Sequence, residues 1–155
     1  MLAVSLEADR FAKRRLQEHL SALLPEWFAH SDSNLKYAAQ SEVLSGYVAR
    51  LDGEPKGLLL LKKHSAISAE IYWLGVDPRC HHRGLGRALV EAACEAARSD
   101  GEKFLFVCTL HPSAAYEPYR RTRLFYEAMG FQYVLQEPFP GETNPLAFYM
   151  KCLLN

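Results

Sequence analysis

The chain has 155 residues, 49% of them hydrophobic and 23% charged, with 18 Lys and Arg balancing 18 Asp and Glu. This length and composition predict one globular domain over residues 1–155, and the zero net charge argues against a general nucleic-acid binder, which carries a basic excess. The opening stretch MLAVSLEADRFAKRR puts charges early and has no long apolar run, so neither a secretion signal nor a membrane span is read there and a cytoplasmic location is expected.

Residues 7–24 read as an amphipathic helix, with Phe11, Leu16, Leu20, Leu23 and Leu24 at helical spacing, ended by Pro25. A turn-rich segment, Pro25 to Asn34, follows. Val43–Leu51 and Lys56–Lys63 then read as a hairpin around Asp52-Gly53. AEIYWLGV, Ala69–Val76, is rich in β-branched and aromatic residues and predicts a third strand. Leu85–Ser99 is predicted as a helix with Asp100-Gly101 as its stop. Lys103–Leu110 is a fourth strand. After a loop with Pro112 and Pro118 comes a short helix ending at Gly130, then strands at Phe131–Gln136 and Leu146–Leu154. The order predicts a mixed α/β layer fold. Cys80, Cys94, Cys108 and Cys152 form no CxxC pair, so reduced thiols in or near the core are expected, and no metal site.

The stretch VDPRCHHRGLGRAL, Val76–Leu89, places a basic, glycine-rich turn where a strand hands over to a helix. The first turn of a helix leaves backbone N–H groups unpaired, and glycines let an anion approach them. A Walker loop fails, because Arg87-Ala88 follows Gly86; a dinucleotide fingerprint fails at Leu89, where its third glycine belongs. From these residues alone, a phosphate site and a merely tight strand-to-helix turn both stand, the turn being the simpler.

IYWLGVDPRCHHRGLGRALVEAACEAA resembles the acyl-CoA-binding segment of the GNAT superfamily of N-acetyltransferases, a strand, a V-x-P turn and Q/R-x-x-G-x-G/A opening a helix. TRLFYEAMGF, Thr122–Phe131, resembles that family's second signature, and the element order from Val43 to Leu153 follows the family. His81 stands at the usual Q/R position, and Tyr119 where many members carry Asn. The resemblance implies a mixed, mostly antiparallel central sheet flanked by helices on both faces and splayed at the acyl-CoA site.

It also implies acetyl-CoA as cosubstrate. Pyrophosphate would lie on the backbone of His82, Arg83, Gly84, Leu85, Gly86 and Arg87, and the pantetheine arm beside Leu74, Gly75 and Val76. Gly75 suits a strand bulge or close packing by Trp73. Tyr126 matches the tyrosine that protonates the departing thiolate, the alternative being a core tyrosine. Strand alternation puts Glu70, Tyr72 and Leu74 on one face. Glu70 is the candidate base, the alternative being a surface carboxylate at a strand start. Trp27, Phe28, Tyr37, Tyr72, Thr109, His111, Tyr116 and Phe139 are candidates for the acceptor pocket. The implied activity is direct transfer of an acetyl group to a primary amine of a small molecule or peptide; a non-catalytic acyl-CoA sensor is the alternative. Neither nucleic acid nor membrane is expected as a partner, and a homodimer is compatible.

Overall fold

A computed structural model describes residues 1–137 and 144–154, so Phe139 and most of the loop before the last strand lie outside the described residues. The elements are β1 (Leu2–Glu7), α1 (Arg10–Leu23), α2 (Ser31–Ser41), β2 (Ser45–Leu51), β3 (Glu54–Lys63), β4 (Ser68–Val76), α3 (Leu85–Ser99), β5 (Phe104–Leu110), α4 (Glu117–Ala128), β6 (Gln132–Glu137) and β7 (Leu146–Cys152). Seven strands form one sheet in the order β1-β2-β3-β4-β5-β7-β6. The β1–β2, β2–β3, β5–β7 and β6–β7 pairs are antiparallel. The link from β4 through α3 to its neighbour β5 is the helical crossover that parallel strands require, so the sheet is mixed. The chain divides into two compact units, Met1–Lys62 with Ile71–Ala96, and Lys63–Glu70 with the chain from Ala97 onward.

In the first unit, Leu58, Leu59 and Leu60 of β3 are all fully buried. A strand buried at successive residues is covered on both faces. Leu58 and Leu60 cluster with Leu20 of α1, Val48 and Trp73. On the other face, a Cβ at Gly57 would stand 3.0 Å from Leu89 of α3. Helix α1 starts at Arg10, later than the periodicity suggests, because the Asp9 carboxylate caps the N–H groups of Phe11 and Ala12 at 2.9 and 3.1 Å.

Two elements were not expected. Helix α2 occupies ground read as turns or left unassigned, and it buries only Ala38 and Ser41, so it carries little apolar periodicity. Strand β1 is largely exposed and is held by its register against β2, from Leu2↔Leu51 to Glu7↔Gly46. Its conformation is set by the partner strand and not by its own residues.

In the second unit, β5 alternates along its length, with Leu105, Val107 and Thr109 buried. It pairs with β7 from Phe104↔Cys152 to Leu110↔Leu146. Pro118 lies in the first turn of α4, where a missing N–H costs nothing, and Gly130 follows that helix at φ 92°. Tyr126, Met129 and Phe131 fill the core beneath it.

Two features of the first unit shape the end of β4. At Gly75, a Cβ would come within 2.3 Å of the Trp73 ring, so the glycine is required by close approach of the indole. One residue past the strand, Asp77 is 1% exposed and acts as a brace. Its carboxylate accepts from Arg79 N at 2.9 Å, Nε at 3.1 Å and the terminal guanidinium nitrogen at 2.7 Å. Its own N–H donates to Lys56 O at 2.8 Å, which ties the turn back to β3. The Arg79 hydrogen bonds, assisted by the Lys56 charge at 4.0 Å, hold the Asp77 carboxyl down at about 2 against burial.

Replacing Gly75 with Ala forces the packed indole to move. It is expected to destabilise the fold by about 1–3 kcal/mol in urea unfolding. Asp77 is expected to make stability acid-sensitive. Its folded value lies below the ordinary 3.8, so its contribution is complete above that value and is lost as pH falls towards about 2. Arg79 is 72% exposed and its pull is screened, which leaves about 1–2 kcal/mol. The stability gap between wild type and Asp77→Asn should therefore be constant near neutrality and shrink below pH about 4; a gap constant to pH 3 would exclude this role.

Candidate active site

In the first unit, a short 3-10 turn over Pro78–Cys80 carries the chain from β4 towards α3. His82 and Gly84 both take left-handed backbone, at φ 61° and 87°. Nothing lies within 4 Å of where a Gly84 side chain would begin, so the backbone there is open to a ligand. Gly84 O accepts from Ala88 N at 3.0 Å, the first turn of α3. By helix geometry, the N–H groups of Leu85, Gly86 and Arg87 have no carbonyl one turn back to bind. The first turn of α3 contains no acidic residue, while Arg79, His81, His82, Arg83 and Arg87 surround it in sequence. Unpaired amides, dipole and basic side chains all favour an anion. These residues fit the pyrophosphate of a coenzyme A.

His81 folds back onto the strand, its Nε2 lying 2.9 Å from Val76 O. A carbonyl only accepts, so the Nε2–H tautomer donates. Thus the residue at the family's Q/R position locks the turn to the end of β4. The predicted alternation of β4 is present: Glu70, Tyr72, Leu74 and Val76 are half-buried, while Ala69, Ile71, Trp73 and Gly75 are buried. Within this unit several candidate aromatics meet. Trp27 lies edge-on to His81 at 6.4 Å, Phe28 packs on Trp73 at 5.1 Å and on Tyr37 at 6.1 Å, and Tyr37 meets Tyr72 at 5.7 Å. Lys62 sits 5.5 Å above the Tyr72 ring.

In the second unit, Glu70 is paired. Its Oε1 lies 2.7 Å from His64 Nε2, and His64 stacks at 5.0 Å on Phe106 of β5. Cys108, two residues along β5, is pushed up to about 12 by burial and by the charges of Glu70 and Glu137. Its thiol is thereby kept neutral. Thr109 alternates to the opposite face of β5 from Cys108, 5% exposed, and its hydroxyl has no hydrogen-bond partner among the described residues. Tyr126 is 4% exposed, with its ring 5.1 Å from Phe125 and 5.4 Å from Phe131. Burial raises its phenol well above the ordinary range, so it stays protonated. His111 caps the turn that follows β5, accepting from Ser113 N at 3.1 Å, and stands 5.8 Å from Tyr133.

Asp77, His81 and His64 are the residues whose roles the sequence did not reveal. Asp77 carried a signal, since an Asp before Pro commonly accepts from an N–H two residues on. His64 carried less. It reaches Glu70 because residues 64–68 close a tight turn, with His64 N donating to Ser68 O at 3.0 Å. Among the described residues, no group of three or more His, Cys, Asp and Glu is placed to hold a metal ion, and no helix is long and apolar enough to cross a membrane.

Comparison with known proteins gives four findings. A mycothiol acetyltransferase of Beutenbergia cavernae is 38% identical over 80 residues, 52% of this chain; that match spans a quarter of the relative's length. A GNAT-family protein of Desulfovibrio desulfuricans superposes with a TM-score of 0.81 at 20% identity, covering 99% of this chain and 100% of its own. A GNAT-family acetyltransferase of Elizabethkingia anophelis, solved with acetyl-CoA bound, superposes with a TM-score of 0.69 at 15% identity over 97% of each chain. At these identities the structures establish the shared fold alone. The model of the acetyltransferase (GNAT) family matches residues 13–131, most of the chain and both motifs, and this chain belongs to that family.

Proposed function

We propose that this chain, acting as one domain, is an acetyl-CoA-dependent N-acetyltransferase that moves an acetyl group directly to a primary amine of a small molecule or peptide. The observation that carries this is Gly84: left-handed, with open space where a side chain would begin, at the head of a helix whose first turn has no acidic residue. The backbone of residues 82–87 would hold the pyrophosphate, and the end of β4 at Leu74, Gly75 and Val76 the pantetheine arm. Trp27, Phe28 and Tyr72 would line the acceptor side, with Thr109 offering its unused hydroxyl.

The reaction needs an uncharged amine. An alkyl ammonium with a pKa of roughly 10 is almost wholly protonated at neutral pH, so one proton must leave before attack. Glu70 takes it. The free nitrogen then attacks the thioester carbonyl, and the backbone N–H of Val76 is a candidate donor to the oxyanion. As the tetrahedral intermediate collapses, the C–S bond breaks and the nitrogen loses its second proton, which passes through solvent to restore the group that protonates the sulfur. The thiolate gains one and leaves as the thiol. Tyr126 is the proposed donor to that sulfur. Its burial makes the phenolate costly, so donation becomes favourable only as negative charge builds on sulfur.

The same burial favours a second reading, in which Tyr126 only fills the core and the protein binds acyl-CoA without turnover. One experiment tests what both readings share, and a second separates them. Gly84→Glu should abolish calorimetric binding of acetyl-CoA while leaving the fold intact; wild-type protein that is folded yet binds no acetyl-CoA would remove the acyltransferase reading. Tyr126→Phe should keep acetyl-CoA binding and lower kcat with a panel of primary amines by about 10²-fold. A wild type that binds acetyl-CoA and turns over none of the panel would favour the sensor.

A further inference from the structure

One cation stands among the aromatic candidates of the first unit. Lys62, one residue before the end of β3, is half-buried and holds its ammonium 5.5 Å from the centre of the Tyr72 ring. Tyr72 meets Tyr37 edge-on at 5.7 Å, and Tyr37 meets Phe28 at 6.1 Å. All three rings pack against the core cluster that contains Trp73. Among the described residues, the other lysines that are buried or half-buried each have an oxygen partner. Lys13 donates to Leu44 O at 2.6 Å, Lys56 lies 3.2 Å from Glu54, and Lys151 donates to Met129 O at 2.8 Å. Even the exposed Lys63, next in sequence, binds Asp100 at 2.7 Å. Lys62 has no such oxygen among the described residues; its partner there is the Tyr72 ring.

A ring face attracts an ammonium through its quadrupole, but it brings no formal negative charge and leaves the ammonium's N–H donors open to an oxygen. A lysine set back from water is normally paired. We propose that Lys62 is a specificity-determining residue that receives a carboxylate carried by the acceptor, so that the acceptor is an amino acid or another small amine bearing an acid group. This deepens the proposed acetyl transfer and rests on it, but it does not need Glu70 to be the base. The rings of Phe28, Tyr37 and Tyr72 offer apolar surface for the hydrocarbon of such an acceptor. The ammonium adds a charge-assisted hydrogen bond to its carboxylate. A diamine or polyamine would instead bring a second positive charge against Lys62. Like charges repel strongly where water is partly excluded, so the same residue that attracts an acid rejects a polycation. Lys62 neither takes nor gives a proton in this role; it fixes the end of the acceptor away from the reacting nitrogen.

The test compares acceptors that differ in that charge alone. An α-, a β- and a γ-amino acid are each offered as free acid and as carboxamide, beside an alkyl diamine, at saturating acetyl-CoA. Wild type should favour at least one free acid over its carboxamide by about tenfold or more in kcat/KM. Lys62→Gln should bring that ratio close to unity, chiefly by raising KM for the acid. Lys62→Glu should reverse the ratio and raise kcat/KM for the diamine relative to the acid, a gain that a merely structural lysine would not produce. Lys62→Met, which keeps an apolar stem beside Tyr72, is the second variant should Gln impair folding. A wild type that prefers the carboxamides or the diamine, or an acid preference that survives Lys62→Gln, would overturn the proposal and leave the acetyltransferase standing. Acetyl-CoA binding with turnover of no primary amine at all would remove both.

Discussion

An anion site made of backbone has to stay bare and stay rigid at once, and the turn after β4 meets both demands with Asp77. Bare backbone at Gly84 leaves no side chain to pack, so the turn cannot be ordered from its own apex. It is ordered from its root instead. The Asp77 carboxylate gathers three donors from Arg79, and the Asp77 N–H reaches Lys56 on the neighbouring strand. Charge-assisted bonds to a buried carboxylate are among the stronger local restraints available to a chain. His81 adds a second clamp on Val76 O. The left-handed angles at His82 and Gly84 lie just beyond these two restraints, where the chain must reverse to enter α3.

This arrangement explains which departures from the family pattern are tolerable. If pyrophosphate is held by amides, the side chain at position 81 is free to serve the fold, and here it does so. Gly75 works in the same way on the strand side. Its missing Cβ admits the Trp73 ring, and Trp73 in turn seats Phe28. The strand end, the turn and the aromatic candidates of the first unit thus share a packing solution, in which glycines are placed where something must come close.

Much of this was legible in the sequence, and unevenly. Helix α3 was bounded correctly because a full apolar stripe runs from Leu85 and a Gly stop follows it. The hairpin of β2 and β3 was visible through Asp52-Gly53, both of which take positive φ. The alternation of β4 was readable residue by residue. Strand β1 and helix α2 were not, since one is ordered by a partner 39 to 49 residues away and the other has almost no buried face. At the candidate site, glycine spacing marked the open strand-to-helix turn at Gly84. The partner of Glu70 stayed hidden because a hydrogen bond across a loop leaves no periodic trace.

The protonation chemistry of acyl transfer asks for two groups with opposite habits. One must stay protonated until a sulfur anion forms, and one must stay ionised until an ammonium arrives. The second unit holds both groups proposed for these tasks. Tyr126 is enclosed by Phe125 and Phe131, so desolvation keeps its proton in place. Glu70 lies against an imidazole, its Oε1 2.7 Å from His64 Nε2, a contact that holds the side chain in place. Cys108, between such neighbours, is held neutral by burial and nearby carboxylates. Hydrocarbon around the proposed donor, an imidazole beside the proposed base and a buried thiol are thus three separate environments within one unit.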